Sequence, residues 1–221
     1  MVRIRPKDTE LIKKLGELNK LYFTVADLEK VLGLKRESLY VTLTRLVKSG
    51  VLERPKRNIY KLFTREFDIE YIAEELYFPS YLSFESALAR YNIFSQIPRA
   101  ATFATTRPSK NTFIANTRIE YSHIKKDLFF GYLLENGKYI AEKEKALLDQ
   151  LYMVSRGKRS IAIEELDLKE INREKLEEYV KRFPPYVNKL LPEIKKYIGT
   201  TPVTLENKDR IEWEKEQRLK P

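Results

Sequence analysis

Residues 24–62 have the sequence TVADLEKVLGLKRESLYVTLTRLVKSGVLERPKRNIYKL, and this stretch decides the fold of the N-terminal part of the chain. Thr24, followed three residues later by Asp27, resembles a capping box, which marks the start of a helix. Gly33 ends this short helix, because glycine readily adopts the positive φ that the turn needs. A further helix is expected over about residues 35–48. Two helices joined by a tight glycine-containing turn predict a helix-turn-helix.

The second helix of this motif has two contrasting faces. At 3.6 residues per turn, its leucines and Val47 fall on one side, which we expect to pack on the preceding helices. The other side carries hydroxyls, long cations and Val41, which would contact a thymine methyl group in the major groove. An ordinary solvated face is the alternative, but it would show more interleaved Glu and Lys. The predicted DNA-binding residues of this helix are Arg36, Glu37, Ser38, Tyr40, Val41, Thr42, Thr44, Arg45 and Lys48.

A β-hairpin with a basic tip is predicted after this helix. Residues 51–54 and 58–62 are short strand-like runs around Pro55-Lys56-Arg57, which indicates the wing of a winged helix. We expect the cations of this wing to reach phosphates or an adjacent minor groove. They are Arg54, Lys56 and Arg57.

A first helix is expected before the helix-turn-helix. Apolar residues recur at helical spacing from Leu11 to Leu18, and Asp8 is a candidate N-cap. The N-terminal module therefore has three helices and a wing.

The charge of the chain is concentrated in this module. The protein has 221 residues and a formal net charge of +10. Residues 1–66 hold 16 Lys and Arg against 8 Asp and Glu, whereas the other 155 residues hold 26 against 24. A basic N-terminal third on a nearly neutral body indicates a module that binds a polyanion, although a merely solubilising surface would have the same composition.

Composition excludes several kinds of site. The sequence has no cysteine, which excludes disulfides and thiolate metal sites, and its single histidine makes a histidine-based zinc site implausible. We therefore expect no metal and no other cofactor. The first residues lack the apolar run of a signal peptide, and no later stretch is apolar enough to span a bilayer, so we expect a soluble cytoplasmic protein.

The rest of the chain predicts an α+β domain. Helices are expected over residues 67–77, 83–92, 142–153, 173–183 and 186–198, and strands near residues 100–105, 112–115, 118–124, 129–134 and 138–140. Asn136-Gly137 is the strongest hairpin signal in this half. The predicted organisation is a winged helix-turn-helix (1–66), an α+β domain with a mainly antiparallel sheet and C-terminal helices (67–203), and a charged helix or tail (204–221) in which Trp213 docks as a structural residue.

Five short segments of the body occur in an order that is similar to a known family. They are residues 81–88 (YLSFESAL), 104–107 (ATTR), 121–124 (YSHI), 129–132 (FFGY) and 144–149 (EKALLD). Following a winged helix, they resemble the AbiEi family, the antitoxins of abortive-infection (type IV) toxin–antitoxin systems. The chain departs from that family at Ala141-Glu142-Lys143, where relatives commonly have a small hydroxyl residue and a proline. This difference affects the cap of the following helix.

The resemblance implies an autorepressor. Such proteins bind inverted repeats upstream of a two-gene operon through their N-terminal domain. Their C-terminal domain antagonises an AbiEii-type nucleotidyltransferase toxin, and this antagonism does not require a stable complex. The expected partners are double-stranded operator DNA, that toxin, and a second copy of the chain on the DNA.

Some polar residues of the body suggest a catalytic site. Glu142, Glu144 and Asp149 lie close together in sequence, but Lys145 stands four residues before Asp149, so local ion pairing explains them. His123 has no evident titratable partner, so a hydrogen-bonded structural role is favoured over that of a general base. No catalytic residue is predicted, and we expect that the protein is not an enzyme.

Two rival functions remain open. One is a metal-dependent enzyme that processes nucleic acid with Glu120, Glu144 and Asp149 as ligands. The other is an adaptor whose winged helix binds a protein. The hydroxyls and cations of the second motif helix argue against the adaptor, because the cores of protein interfaces favour aromatic residues.

A second basic patch is predicted in the body. Between residues 99 and 127, six cations accompany only Glu120 and Asp127. Such a patch would serve antitoxin function by binding DNA or the toxin's RNA substrate, and scattered solubilising charge is the alternative. Its residues are Arg99, Arg107, Lys110, Arg118, Lys125 and Lys126.

Overall fold

A computed structural model describes residues 6–199 of the protein, except residues 19 and 67. The predicted tail over residues 204–221, including Trp213, lies outside the described residues. The chain divides into two compact units. The first comprises the residues up to Leu76 together with Thr112–Arg118, and the second comprises Tyr77–Asn111 and the residues from Ile119 onward.

The first unit is a winged helix-turn-helix. Its antiparallel sheet has the strand order β1-β3-β2. Helices α2 and α3 form the helix-turn-helix, and strands β2 and β3 form the wing. In chain order the elements are α1 (Pro6–Glu17), β1 (Phe23–Thr24), α2 (Val25–Leu32), α3 (Arg36–Lys48), β2 (Leu52–Lys56), β3 (Ile59–Leu62) and α4 (Ile69–Leu76).

An apolar core fixes the orientation of α3. Leu39, Leu43 and Leu46, on its predicted inner side, are fully buried among apolar side chains of α1, α2 and the sheet. Val47 packs partly buried against the same core. Burying one leucine contributes about 1.5–3 kcal/mol. The apolar side therefore sets how α3 is rotated, and its polar side must face outward.

The sequence signals at both ends of α2 are confirmed. The Thr24 backbone N–H donates to Asp27 Oδ2 at 2.9 Å, and the Asp27 N–H donates to Thr24 Oγ1 at 3.2 Å, which completes a capping box. At the other end Gly33 has φ 62°, and its N–H donates to the carbonyl oxygen of Glu29. A left-handed residue at this position lets the chain turn directly into α3.

The capping box predicts a pH-dependent contribution to stability. Burial acts to raise the pKa of Asp27, but hydrogen bonds from Lys20 and Thr24 outweigh it and lower that pKa to about 2. Because the folded pKa lies below the ordinary value of 3.8, the contribution is present above about pH 4 and is lost as the pH falls towards 2. In urea denaturation, Asp27→Asn should be less stable than the wild type at neutral pH, and the two should converge near pH 2. A difference that stays constant down to pH 2 would contradict this.

Asp8 does not cap α1, so that prediction was wrong. The helix begins at Pro6, a residue type favoured in the first helical turn, and Asp8 consequently lies within the helix. Its side chain is buried, and both carboxylate oxygens accept hydrogen bonds from the guanidinium of Arg45.

The second unit is built on a six-stranded sheet with the order β6-β7-β5-β4-β9-β8. The predicted α+β class is confirmed. Antiparallel pairs predominate over the two sheets, while β5–β7 and β4–β9 run parallel. Residues 112–118 of β6 and β7 are counted with the first unit. In chain order the elements are β4 (Ser80–Leu82), α5 (Phe84–Arg90), β5 (Ala101–Thr105), β6 (Lys110–Ile114), β7 (Thr117–His123), β8 (Tyr132–Glu135), β9 (Lys138–Ala141), α6 (Lys143–Val154), α7 (Arg173–Val180), α8 (Pro185–Asn188) and α9 (Leu191–Tyr197).

Two predicted elements of this unit have different bounds. The single helix expected over residues 186–198 is two helices, because Pro192 has no N–H to continue the hydrogen-bond ladder from α8. The strand expected from residue 129 begins only at Tyr132, because Gly131 adopts φ 67°, outside the extended region. The predicted turn at Asn136-Gly137 is confirmed, with both residues at positive φ.

Helix α6 is buried on all sides and holds an ion pair in the core. The predicted pairing of Lys145 with Asp149 is confirmed, and both side chains are fully buried. Asp149 Oδ2 accepts the hydroxyls of Tyr81 and Ser83 at 2.8 Å each, and Lys145 Nζ donates to Tyr81 Oη at 2.8 Å. Ser83 occupies the N-cap position of α5 without making a side-chain cap, because its hydroxyl donates to Asp149 instead.

Candidate nucleic-acid interface

The outward face of α3 is open to solvent. Val41, at its centre, is 73% exposed, and Tyr40 is 38% exposed. Thr42 and Arg45 are half-buried at the margins of the face. The other predicted contact residues of the helix are exposed, namely Arg36, Glu37, Ser38, Thr44 and Lys48.

Two shallow hollows lie along this face of α3. Val41, Thr44 and Lys48 line the first. The second, of about 220 Å³, lies between Thr44 and Lys48 on the helix and Arg54 and Tyr60 on the wing. Methyl groups, a hydroxyl and cations thus line two neighbouring hollows that share Thr44 and Lys48. Such a surface offers apolar contact to thymine methyl groups and charge to phosphates.

Thr44 keeps only part of its hydrogen-bonding capacity for a ligand. Its hydroxyl donates to the carbonyl oxygen of Tyr40, one turn earlier in α3, at 2.8 Å. Threonine commonly makes this bond within helices. The Thr44 side chain therefore keeps its methyl group and the lone pairs of its hydroxyl for a ligand. Towards a ligand the hydroxyl acts as an acceptor.

Arg45 has a structural contact that its sequence position does not reveal. Its two terminal nitrogens donate to the two carboxylate oxygens of Asp8, at 3.0 and 2.9 Å. The Asp8 side chain is 2% exposed and that of Arg45 is 35% exposed. A bidentate pair of this geometry is stronger than an ordinary surface ion pair. It joins α1 to α3 and holds the guanidinium at the margin of the exposed face.

Arg45→Ala is expected to lower the free energy of unfolding by about 1–3 kcal/mol, because it removes two hydrogen bonds from a buried carboxylate. Urea denaturation measures this loss. In an Asp8→Asn background the same substitution should have a smaller effect. Equal losses in the two backgrounds would show that the pair contributes nothing to stability.

The wing has a tighter tip than the sequence indicates. Strand β2 continues through Pro55 to Lys56, and the turn consists of Arg57 and Asn58, where Asn58 adopts φ 66°. Pro55 is tolerated because β2 is an edge strand with a register shift between Glu53 and Lys56. Arg57 is consequently exposed at the very tip.

The three predicted cations of the wing differ in their surroundings. Arg57 is exposed, and the exposed guanidinium of Arg54 lies over the Tyr60 ring, 5.7 Å from its centroid. Lys56 is half-buried, and its Nζ donates to the carbonyl oxygen of Phe113 at 3.1 Å and to Thr112 Oγ1. Lys56 therefore connects the wing to residues 112–118 of the same unit. Nothing in the sequence indicated this contact.

Two of the six cations predicted as a second basic patch lie on the same aromatic ring. Arg107 and Lys110 share the Tyr77 ring, with Arg107 Cζ 4.0 Å and Lys110 Nζ 4.9 Å from its centroid. Arg99 borders a hollow of about 280 Å³ that also includes Glu85 and Glu120. Lys125 and Lys126 are exposed where a short 3-10 helix begins, and Arg118 belongs to the first unit.

The carboxylates that suggested a metal site have separate partners. Glu144 accepts the backbone N–H of Asn172 at 2.8 Å, and Glu120 lies 3.4 Å from the Arg159 guanidinium. Asp149 is occupied by the buried network described above. Within the described residues, no three His, Cys, Asp or Glu side chains are placed to hold a metal ion together. The structure does not bring Glu120, Glu144 and Asp149 together.

Glu142 lies at the start of α6, where the sequence departs from the family pattern, and its side chain contacts α7. It occupies the N-cap position without making a side-chain cap. Its carboxylate instead accepts Lys175 Nζ at 2.6 Å and the hydroxyl of Tyr179. Burial raises the pKa of Glu142, but these two hydrogen bonds outweigh burial and lower it overall. Glu142 therefore tethers α7 to α6.

His123 has structural hydrogen bonds, as predicted. Its backbone N–H donates to Ser109 Oγ at 2.9 Å, and its ring Nδ1 lies 3.1 Å from the carbonyl oxygen of Arg107. The imidazole is exposed at the end of β7. These contacts hold the Arg107 loop against the strand.

The geometry of the first unit defines the class of protein: a winged helix-turn-helix whose second motif helix presents an exposed face beside a basic wing. Residues 11–62, from α1 to β3, match the model of the family described as "Transcriptional regulator, AbiEi antitoxin". The predicted resemblance to the AbiEi family is thus confirmed over these residues. No curated protein matches the sequence.

A solved structure resembles the chain in fold. The RV2827C protein from Mycobacterium tuberculosis aligns with a TM-score of 0.63 and 15% sequence identity, over 92% of this chain and 80% of that chain. At this identity the likeness concerns the fold alone. Within the described residues, no helix has the length and apolarity needed to cross a membrane.

Proposed function

We propose that this chain is a repressor that binds duplex operator DNA by inserting α3 into the major groove. The exposed outward face of α3 carries this proposal, because the apolar side of the same helix is fixed in the core and leaves Val41 and its neighbours facing solvent. The net positive charge of the first 66 residues favours a polyanionic partner. The family description supports a regulatory role.

The wing complements the helix in this proposal. Arg57 at its tip and Arg54 beside the helix contact the phosphate backbone, while α3 contacts base edges. Two copies of the chain occupy two half-sites of an inverted repeat, about one helical turn or more apart. Repression of the chain's own operon follows if such a repeat overlaps its promoter.

Selection of binding sites tests this directly. The full chain is incubated with a duplex library randomised over about 40 base pairs, long enough for two half-sites. We expect recovery of one inverted repeat, whose affinity falls steeply as salt rises because counterions are released. Recovery of no common sequence, together with salt-independent binding or none, would overturn the proposal.

We further propose that the chain acts as the antitoxin of a type IV toxin–antitoxin system and counteracts a nucleotidyltransferase toxin. The family description supports this role. Arg107 and Lys110, whose cationic groups lie over the Tyr77 ring, provide an antitoxin surface in the second unit. A nucleotidyltransferase reading frame beside the gene would supply the toxin for a test.

Co-expression measures antitoxin activity. The wild-type chain should restore growth to cells that express the neighbouring nucleotidyltransferase, and Arg107→Glu with Lys110→Glu should restore it less while leaving operator binding intact. Continued growth arrest with the wild-type chain would overturn the antitoxin role. Full rescue by the double variant would show that Arg107 and Lys110 take no part in the antitoxin role.

A further inference from the structure

Residues 112–118 comprise the end of β6, the turn Ala115-Asn116 and the start of β7, and they lie against the wing in the first unit. The backbone N–H of Ala115 donates to the carbonyl oxygen of Pro55 at 2.7 Å. Lys56 Nζ donates to the carbonyl oxygen of Phe113 at 3.1 Å and to Thr112 Oγ1. The two ends of this contact are 56 or more residues apart in sequence. We call these seven residues the accessory hairpin.

The accessory hairpin presents a surface that is suited to a polyanion. Its sequence, TFIANTR, contains no acidic residue. Ala115 and Asn116 form the exposed turn, Arg118 is exposed, and Phe113 is 60% exposed. Asparagine amides and arginine guanidinium groups are common donors to phosphate oxygens. The hairpin thus adds an amide, a cation and an aromatic ring beside the wing.

The hairpin also changes what the wing itself offers. Lys56 Nζ is held by the hairpin, so the exposed cations of the wing are Arg54 and Arg57. Lys56 therefore holds the accessory hairpin next to the tip of the wing through its hydrogen bonds. A fixed loop loses less conformational entropy on binding than a mobile one.

We infer that the accessory hairpin is a second DNA-contacting element, which extends the footprint of the wing along the phosphate backbone through Asn116 and Arg118. This inference rests on the proposed binding of duplex DNA by the first unit. It assigns Arg118 to DNA binding and not to the antitoxin surface expected from sequence. The occupant is the backbone of the same duplex that α3 enters.

Tethered cleavage locates the hairpin on DNA. The chain has no cysteine, so Asn116→Cys in the full chain gives one attachment point for an iron–EDTA cleavage reagent. The probe is the duplex recovered by selection from the randomised library. Cleavage is expected within a few nucleotides of the positions cut from Arg57→Cys. Lys189→Cys, an exposed position on the second unit, is the matched control and should not cut.

Charge reversal measures the contribution of the hairpin to affinity. Arg118→Glu should weaken binding to the same duplex about tenfold and reduce the slope of log affinity against log salt by about 1, because one phosphate contact is lost. Arg118→Gln should show a smaller loss with the same change in slope, and Lys189→Glu should bind like the wild type. Circular dichroism and thermal melting establish that each variant is folded.

The outcomes separate this inference from the function on which it rests. If the wild type binds the duplex but the reagent on Asn116→Cys does not cut and Arg118→Glu binds normally, the accessory hairpin is not a DNA contact, while the role of α3 stands. If the wild type binds no duplex at all, the inference falls together with the proposed function. Cleavage by the Asn116→Cys conjugate with loss of affinity in Arg118→Glu supports both.

Discussion

Val41→Glu is expected to reduce affinity for the selected duplex by about 100-fold or more without unfolding the protein. The side chain is 73% exposed at the centre of the outward face of α3, so glutamate is solvated in the free protein. In the complex the carboxylate would be buried against base edges and near phosphates, where desolvation and like-charge repulsion both oppose binding. Fluorescence anisotropy with a labelled duplex measures the change.

Two controls give this prediction its specificity. Ile97→Glu makes the same chemical change at a side chain that is 93% exposed in the second unit, and it should leave DNA affinity unchanged. Val41→Ala should lose only a modest factor, since it removes methyl contacts without adding charge. Equal affinities of Val41→Glu and the wild type would mean that α3 does not face the DNA.

Asp149→Ala is expected to destabilise the second unit by about 3–5 kcal/mol, because it removes the carboxylate partner of a buried ammonium group. Lys145 is fully buried, with its Nζ 5.1–5.4 Å from the centroids of the Phe130, Phe183 and Tyr81 rings. The variant also removes the acceptor of the Tyr81 and Ser83 hydroxyls. Urea denaturation followed by circular dichroism measures the loss.

The pH dependence of this variant provides a second measurement. Burial lowers the pKa of Lys145, and Asp149 opposes that effect. Without Asp149 the pKa of Lys145 should fall further, so that the folded state binds fewer protons than the unfolded state and stability rises with pH. The deficit of Asp149→Ala should therefore shrink as the pH increases.

A paired substitution isolates the cause. Lys145→Met combined with Asp149→Ala removes both charges and should recover much of the lost stability, as replacement of buried ion pairs by apolar residues often does. A double variant as unstable as Asp149→Ala would show that cavity formation and the hydroxyl contacts dominate. The buried charge would then not be the main cause.

The helix-turn-helix was predictable because its signals are local. Thr24 with Asp27 and Gly33 bracket α2 within ten residues, and the leucine spacing in α3 determines which side is buried. Since that side is fixed, the exposed face follows from the helical repeat alone. The same reasoning gave the turn at Asn136-Gly137, whose conformation depends on those two residues.

What could not be predicted depends on contacts between distant parts of the chain. Arg45 and Asp8 are 37 residues apart, and Lys56 and Phe113 are 57 apart. Strand β4 has only three residues, and its partners β5 and β9 come later in the chain. A pattern of residue types contains no signal for such pairings. These contacts nevertheless change the roles assigned to individual cations of the candidate site.

In the second unit, too, the sequence pattern did not show the surroundings of charged residues. Spacing within α6 predicted that Lys145 pairs with Asp149, but not that the pair is buried among aromatic rings. Six cations in one stretch suggested one patch, but their spacing did not indicate that Arg107 and Lys110 share the Tyr77 ring. Proximity in sequence across strands and turns does not determine which side chains share a surface.

Methylation protection on the selected duplex tests the central claim most directly, because dimethyl sulfate modifies guanine N7 in the major groove and adenine N3 in the minor groove. With α3 inserted in the major groove, the wild-type chain should protect guanine N7 atoms in each half-site of the repeat, and Val41→Glu should abolish that protection. Protection confined to adenine N3, or N7 protection that persists in Val41→Glu, would contradict it.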